Sequence, residues 1–342
     1  MTASKPPDWL TDPMARLARK NTFDAALTMG TAQFNHKTGR LVSQSRPFLW
    51  AVDKNTGLIR ADLLQARPCP ICQTPPSRGL FIKDGFRHVK CQTCGLIYVS
   101  LILREDILEQ YWRDEEAWSA VLDSQPQVEI DRQKYQYGLD LVAWRLTGRR
   151  LLDIGSGVGG FARLAGESGW QVTTLELNHR NSKRLKSQGL KVIVKHLEMA
   201  DLPSGSFDLI SLWEVLEHLV DPVLTLMEAK RLLKPGGILL ILVPNVESMV
   251  TRLLHEKSNT FGGHSHLNHF SSRTLEALLN KAELAGLEME TVITELGTIN
   301  NHLAFEDAYA GSAEPFHSIL TPAFIHENFL GSRILALAGA KE

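Results

Sequence analysis

The chain has 342 residues, 44% hydrophobic and 22% charged, with a formal net charge of −1. Such a length suggests about two domains. The balanced charge excludes a global electrostatic pull toward nucleic acid or anionic membrane, so any partner must be read from local sites.

The opening stretch, MTASKPPDWLTDPMARLARK, places Pro and Asp where an export signal would need an apolar core. The longest apolar run, Ile238 to Val243, is far too short to cross a bilayer. A cytoplasmic protein with no membrane span is the expectation. Residues 1–66 mix Trp, Phe, Pro and charge without a sustained period, and form an N-terminal extension to which no role is assigned. Within it, FLWAVDKNTGLIRADLL suggests two strands around Asn55-Thr56-Gly57.

All four cysteines fall in residues 67–104, as CPIC (Cys69, Cys72) and CQTC (Cys91, Cys94) with the spacing C-x2-C-x18-C-x2-C. Two such knuckles separated by about 15–20 residues present four thiolates to one zinc ion. Leu80 to Val89 reads as two short strands around Asp84-Gly85, a hairpin dipeptide, which gives the layout of a zinc ribbon. Structural disulfides suit a reducing compartment poorly, and a redox pair would need a βαβ context. With four thiolates and no open position, the zinc is expected to be structural. Arg67, Arg78, Lys83, Arg87, Lys90 and Arg104 against Asp84 make the ribbon basic, a surface able to dock RNA or simply to be solvated.

Residues 105–147 are predicted to be a helical linker, with Leu108, Tyr111, Trp112 and later Tyr135, Leu139, Val142, Ala143 and Leu146 near helical spacing. From residue 148 the pattern alternates strand and helix: LLDI, a glycine-rich turn, WQVTTLEL, KVIV, FDLISL, GGILLILV. Alternation of this kind predicts an α/β domain, a parallel sheet with helices on both faces.

In LLDIGSGVGGF, Asp153, Gly155, Gly157 and Gly159 lie between a strand and a helix, where bare backbone can approach a ligand. The next strand ends at Glu176, placed to accept hydrogen bonds from ribose hydroxyls. A nucleoside cofactor follows, either a dinucleotide or S-adenosylmethionine. G-S-G-V-G lacks the G-x-G-x-x-G spacing unless Gly160 is counted, and Asp153 suits an amino-acid ammonium group.

At this point the chain resembles the class I S-adenosylmethionine-dependent methyltransferases. LLDIGSGVGG, DLPSGSFDLI, WEVLEHLVDP, RLLKPGGILLILVPN and HLNHFSSRTL are similar to successive signatures of that family, in its order. The resemblance implies a Rossmann-like doubly wound sheet over 148–342, ended by an antiparallel hairpin from LEMETVITEL and SRILALAGA. An insertion at about 297–331 would separate them, covering substrate or making an oligomer contact. It implies further that Asp153, Gly155 and Gly157 line the methionine moiety, Glu176 the ribose, and Leu197 with Glu198 the adenine edge. Trp213 would wall the methionine side or pack in the core, while Asp208 reads as a structural strand residue.

The stretch WEVLEHL follows the fourth strand, and as one helical turn it would put Glu214, Glu217 and His218 on one face. Some relatives use a Glu-x-x-Glu-His arrangement to hold a divalent ion. The alternatives are His218 as acid/base or orienting group, and a purely structural loop. His266 matches the histidine of the family's HL-x-x-F-S pattern and is a further catalytic candidate. The ribbon together with HLNHFSSRTL looks like enzymes acting on small-molecule, sugar or glycan hydroxyls. The alternatives are an RNA methyltransferase docked by the ribbon, and a non-catalytic cofactor-binding scaffold.

Overall fold

The alternation that begins at Arg150 closes into a seven-stranded sheet. In the computed structural model, which describes residues 5–22, 47–309 and 320–341, the early strands are β1 (Leu64–Ala66), β2 (Gly79–Lys83), β3 (Phe86–Lys90), β4 (Ile97–Val99) and β5 (Leu101–Leu103). They are followed by β6 (Arg150–Ile154), β7 (Gln171–Leu175), β8 (Lys191–Ile193), β9 (Phe207–Trp213), β10 (Leu233–Pro244), β11 (Asn268–His269), β12 (Leu284–Val292) and β13 (Arg333–Ala340). The large sheet runs β12-β13-β10-β9-β6-β7-β8. It is parallel from β10 to β8, with β13 antiparallel to both of its neighbours. Strand order reverses at β6, between β7 and β9, which opens a ligand crevice at the carboxyl ends of those strands.

Alternate residues of the central strands feed two cores, as the two-residue side-chain period requires. Leu151 and Leu209 pack with Phe161, Tyr137 and Leu139 on one face, while Leu152, Ile210 and Leu212 pack with Leu226, Leu275 and Leu278 on the other. The helices Gln125–Ala143 and Gly160–Glu167 thus cover one side, and Pro222–Leu232 and Ser272–Lys281 the other. The segment expected to be helical is three helices, Glu105–Asp114, Ala117–Leu122 and Gln125–Ala143. The two strands expected around Asn55-Thr56-Gly57 shrink to a single bridge, Val52 to Ile59, because a 3-10 turn at Leu49–Ala51 takes the preceding residues. The expected insertion contains helices Leu296–Leu303 and Pro322–Glu327, and its residues 310–319 lie outside the described ones.

The β2–β3 hairpin turns at Asp84-Gly85, both at positive φ (51° and 87°), which only a permissive pair such as Asp-Gly accepts readily. The ribbon sheet runs β11-β4-β3-β2, so its fourth strand is donated by the chain that follows β10. One apolar cluster contains Cys69, Ile71, Val89, Leu96 and Tyr98 from the ribbon together with Phe270 and Leu275. The ribbon is therefore built into the larger domain.

Arg67 is the bolt of that junction. Its buried guanidinium donates to the carbonyls of Val99 (2.9 Å), Val220 (3.1 Å) and Leu267 (2.6 Å) and to Asn268 Oδ1 (2.9 Å). Burial pulls its pKa down to about 10, still high enough to stay charged at neutral pH. This corrects its place among the basic residues expected to face a partner: Arg67 faces the interior. Arg67→Met would strand all four acceptors, and urea unfolding should show a loss of roughly 3 kcal/mol or more. A loss below about 1 kcal/mol, the worth of one ordinary hydrogen bond, would show that the junction does not depend on it.

Candidate active site

The glycine turn follows β6 into the crevice. Gly155, Gly157 and Gly159 all have positive φ (68°, 53° and 83°). Two of them are also sterically obliged: a Cβ on Gly155 would lie 2.7 Å from Val215 Cγ2, and one on Gly159 2.3 Å from Leu185 Cδ2. Gly157 differs, since its nearest neighbour would be Leu122 Cδ1 at 3.8 Å. Its bareness leaves room on the crevice side, as a ligand-facing position requires.

Glu176, at the end of β7, is buried. Its carboxylate accepts from Gly157 N–H (2.6 Å) and Asn178 N–H (2.7 Å). Burial raises its pKa, against those two hydrogen bonds. Asp153 is buried beside it and accepts from the Ser211 hydroxyl at 2.7 Å. Desolvation, with Glu176 nearby, raises its pKa to about 7, so a cationic group entering here would gain a carboxylate partner. Leu197 is buried in a 3-10 turn, and the adjacent Glu198 accepts from Thr225 Oγ1 at 2.6 Å. Trp213 is core: its ring meets Tyr135 at 4.9 Å and Phe161 at 5.1 Å. A Cβ on Gly138 would come within 2.6 Å of its Cη2. Asp208 sits at the opposite end of β9, held by Lys234 at 2.8 Å and by Arg150 N–H, and is structural.

Sequence reasoning treated residues 105–147 as a linker and missed that they cover the crevice. Asn178 caps the helix His179–Ser187 with its side-chain oxygen and donates its amide to the carbonyls of Trp112 (3.1 Å) and Glu115 (2.7 Å). Asn181 donates to Ser119, and Arg184 pairs with Asp123. No sequence signal within 105–124 announces these contacts.

The stretch WEVLEHL is not the helical turn expected. Glu214 is left-handed (φ 54°), and a 3-10 turn occupies Leu216–His218. Glu214 therefore leaves the face shared by the other two and pairs with Arg333 (Nε to Oε1, 2.6 Å) and Lys134 (3.6 Å). Burial alone would raise its pKa, but those cations bring it to about 2. Arg333, the first residue of β13, is a site neighbour that sequence reading passed over; a charge opening an otherwise apolar strand was its only signal.

In place of Glu214, the fold brings in His266. One ligand atom each from Glu217, His218 and His266 lies within 4.8 Å of the others. His218 Nδ1 bonds to the Ser265 carbonyl (2.9 Å) and His266 Nδ1 to the Thr260 carbonyl (2.9 Å). Since a carbonyl only accepts, each Nδ1 carries the proton and each Nε2 keeps its lone pair. Burial lowers His218 to about 3 and His266 to about 4. Both oxygens of Glu217 are buried without a hydrogen-bond partner, and desolvation, with Glu214 nearby, lifts its pKa well above the carboxylate range. With no cation the buried Glu217 is held as the neutral acid, and a cation would replace its proton, so beside two oriented imidazole lone pairs it completes a donor set suited to a divalent cation. The expected cation set Glu214, Glu217 and His218 is corrected to Glu217, His218 and His266.

The four cysteines also converge, with Sγ atoms within 4.8 Å of one another. Cys69 and Cys94 are 3.5 Å apart, Cys72 and Cys91 3.4 Å, far beyond a disulfide and close to the edge of a thiolate tetrahedron around zinc. Backbone N–H groups of Cys72 and Ile71 point at the Cys69 sulfur, and those of Cys94 and Thr93 at Cys91. The cluster fits a zinc ribbon.

Residues 128–290 match a family described as "Methyltransferase domain". A Mycolicibacterium smegmatis protein named "Probable S-adenosylmethionine-dependent methyltransferase" is 30% identical over 156 residues, 44% of this chain and 57% of that protein. A "Ubiquinone biosynthesis O-methyltransferase" of Xanthomonas oryzae is 36% identical over 108 residues, 29% of this chain and 45% of that one. The chain spans about half the length of these curated relatives. A solved Haloferax volcanii methyltransferase, in complex with the Trm112 activator, covers 67% of this chain and 99% of its own at 18% identity, with a TM-score of 0.48. Residues 128–290 thus match a methyltransferase domain, and they lie within an α/β fold whose mixed seven-stranded sheet is of the Rossmann-like, doubly wound type. Among the described residues, no helix is long and apolar enough to cross a membrane.

Metal analysis of reduced protein should find one zinc per chain, and Cys91→Ser should lower both zinc content and thermal stability. Metal-free protein that gains nothing from added zinc would refute the ribbon. Gly157→Val puts a branched residue at φ 53° and fills the crevice side. Calorimetry should show S-adenosylmethionine binding weakened at least about tenfold, a loss of roughly 1.4 kcal/mol. Unchanged affinity would move the cofactor elsewhere.

Proposed function

We propose that the protein transfers a methyl group from S-adenosylmethionine to a hydroxyl of a small-molecule or glycan-type acceptor. The observation that carries this reading is the meeting of Glu217, His218 and His266 just beyond the carboxyl end of β9, beside the glycine turn. The O-methyltransferase named among the relatives supports an oxygen acceptor.

The reaction is an in-line displacement in which the acceptor oxygen bonds to the methyl carbon and the S–C electron pair returns to sulfur. The acceptor's proton must leave. Asp153, Gly155 and Gly157 hold the methionine end, Glu176 the ribose, and Leu197 with Glu198 the adenine edge. Trp213 stiffens this wall from the core. A divalent cation held by Glu217, His218 and His266 would lower the pKa of the acceptor hydroxyl and orient it. The serine and threonine carbonyls fix both imidazoles for that purpose. The low pKa of His218, about 3, makes it a poor resting base, which favours the cation over proton transfer by His218 alone. Zinc in the ribbon would be structural.

Docking on RNA would fall to the exposed Arg78, Arg87 and Lys90, because the other basic residues of the ribbon have partners within the chain. Arg67 is buried, Lys83 donates to the Ser258 carbonyl, and Arg104 pairs with Asp106. A non-catalytic scaffold would bind the cofactor without turnover.

Adenosylhomocysteine release, screened against extract fractions with mass spectrometry of the product, identifies the acceptor and tests turnover. With an acceptor in hand, chelation mild enough to spare the ribbon should abolish turnover, and Mg²⁺ or Mn²⁺ should restore it. Glu217→Gln and His266→Ala should each cost about 100-fold or more in kcat. Full turnover after chelation with a large loss in His218→Ala would assign proton transfer to His218. No loss in either would leave the three residues as architecture.

A further inference from the structure

The three ligands of the candidate cation site come from two segments of chain, and one buried guanidinium holds both. Arg67 lies two residues before Cys69. The Val220 carbonyl, which accepts from it at 3.1 Å, follows His218 by two residues, while its acceptors at Leu267 (carbonyl, 2.6 Å) and Asn268 (Oδ1, 2.9 Å) are the two residues after His266. Asn268 extends the hold by donating to the carbonyls of Leu216 (3.0 Å) and Leu219 (2.8 Å), which flank Glu217 and His218. The fourth acceptor, the Val99 carbonyl at 2.9 Å, belongs to the ribbon. One side chain thus touches the ribbon and both segments that supply ligands.

The other end of this relay is the cysteine cluster. Arg67 N–H donates to the Ser100 carbonyl at 3.0 Å, and Cys69 N–H to the Thr74 carbonyl at 2.9 Å, so the stretch that carries Arg67 runs straight into the first knuckle. Zinc shared by Cys69 and Cys94, whose sulfurs lie 3.5 Å apart, would tie that stretch to the second knuckle. Charge works in the same direction. The acceptors of Arg67 are neutral oxygens, and Asp221 acts on it only through space. Four thiolates around one dication are net negative, and would give the buried guanidinium a counter-charge.

We propose that Arg67 is a positioning residue for the cation site, through which zinc loading of the ribbon raises the affinity of Glu217, His218 and His266 for a divalent cation. The proposal rests on the cation reading above. The two ion sites then share one coupling free energy, and each ion tightens the other by the same factor. Groups that orient metal ligands from behind commonly set affinity by about 10- to 100-fold.

The test measures Mn²⁺ binding to the full chain by electron paramagnetic resonance, with the zinc content of each sample determined separately. Zinc-loaded wild type should bind Mn²⁺, and Glu217→Gln should remove that binding, which assigns the site. Withdrawing zinc under reducing conditions should weaken Mn²⁺ binding on the order of tenfold. Arg67→Lys keeps the charge but cannot span four acceptors; loaded with zinc, it should show the same weakening, with little further loss when zinc is withdrawn. Asn268→Ala interrupts the relay one step nearer the ligands and should behave alike. If the zinc-free chain does not fold, the zinc-loaded forms of these two proteins decide the matter. A role confined to stability would lower their unfolding temperatures and leave the Mn²⁺ affinity of the folded proteins at the wild-type value; that result, or zinc withdrawal without effect on Mn²⁺, overturns the proposal. Wild type that holds no Mn²⁺ in either state would sink the cation reading itself, and the coupling with it.

Discussion

The structure hangs on a buried guanidinium. Arg67 gathers the carbonyls of Val99, Val220 and Leu267 and the side chain of Asn268, and Asn268 in turn donates to the carbonyls of Leu216 and Leu219. Leu267 N–H closes the set on the Glu217 carbonyl at 2.7 Å. Orphaned buried carbonyls are costly, so these bonds are satisfied together or not at all. They fasten the ribbon, the WEVLEHL turn and the HSHLNH segment to one another. That fastening is what sets His266 beside Glu217 and His218, although nearly fifty residues of chain separate them. The ribbon thus braces the candidate active site from behind.

A second constraint is the density of acid in the crevice. Asp153, Glu176, Glu214 and Glu217 crowd the ends of β6, β7 and β9, and each meets the cost of burial differently. Glu214 takes two cations, Glu176 takes two backbone N–H groups, and Asp153 takes the Ser211 hydroxyl. Glu217 takes nothing among the described residues. Native proteins rarely leave a buried carboxylate in that state, and the exception stands where two imidazoles aim lone pairs. Asn178 links the cofactor side to its cover, since one side chain caps a helix and holds the Trp112 and Glu115 carbonyls.

Much of this was legible in the sequence because it depends on short-range rules. The strand–helix alternation, the glycines at positive φ and the paired cysteines are local patterns, and each maps onto the element expected of it. The antiparallel end of the sheet likewise follows the segments LEMETVITEL and SRILALAGA, with β12 and β13 paired antiparallel across one register shift between Gly286 and Glu288.

What failed were the inferences about which charged side chain meets which partner across the fold. Glu214 has the right spacing for one helical face, yet Arg333 and Lys134, remote in sequence, draw it away and the backbone turns left-handed there. Arg67 reads as surface charge because nothing local says that four acceptors surround it. Lys134 and the cover formed by residues 105–124 carry no motif at all. The sequence by itself determined the order of elements, the bare turn for a nucleoside ligand and the four thiolates, because backbone freedom and side-chain periodicity are properties of neighbouring residues. Only the tertiary structure decided which acids are neutralised, which cations are buried and which histidine joins Glu217, because charge burial is settled by partners that the chain brings together from a distance.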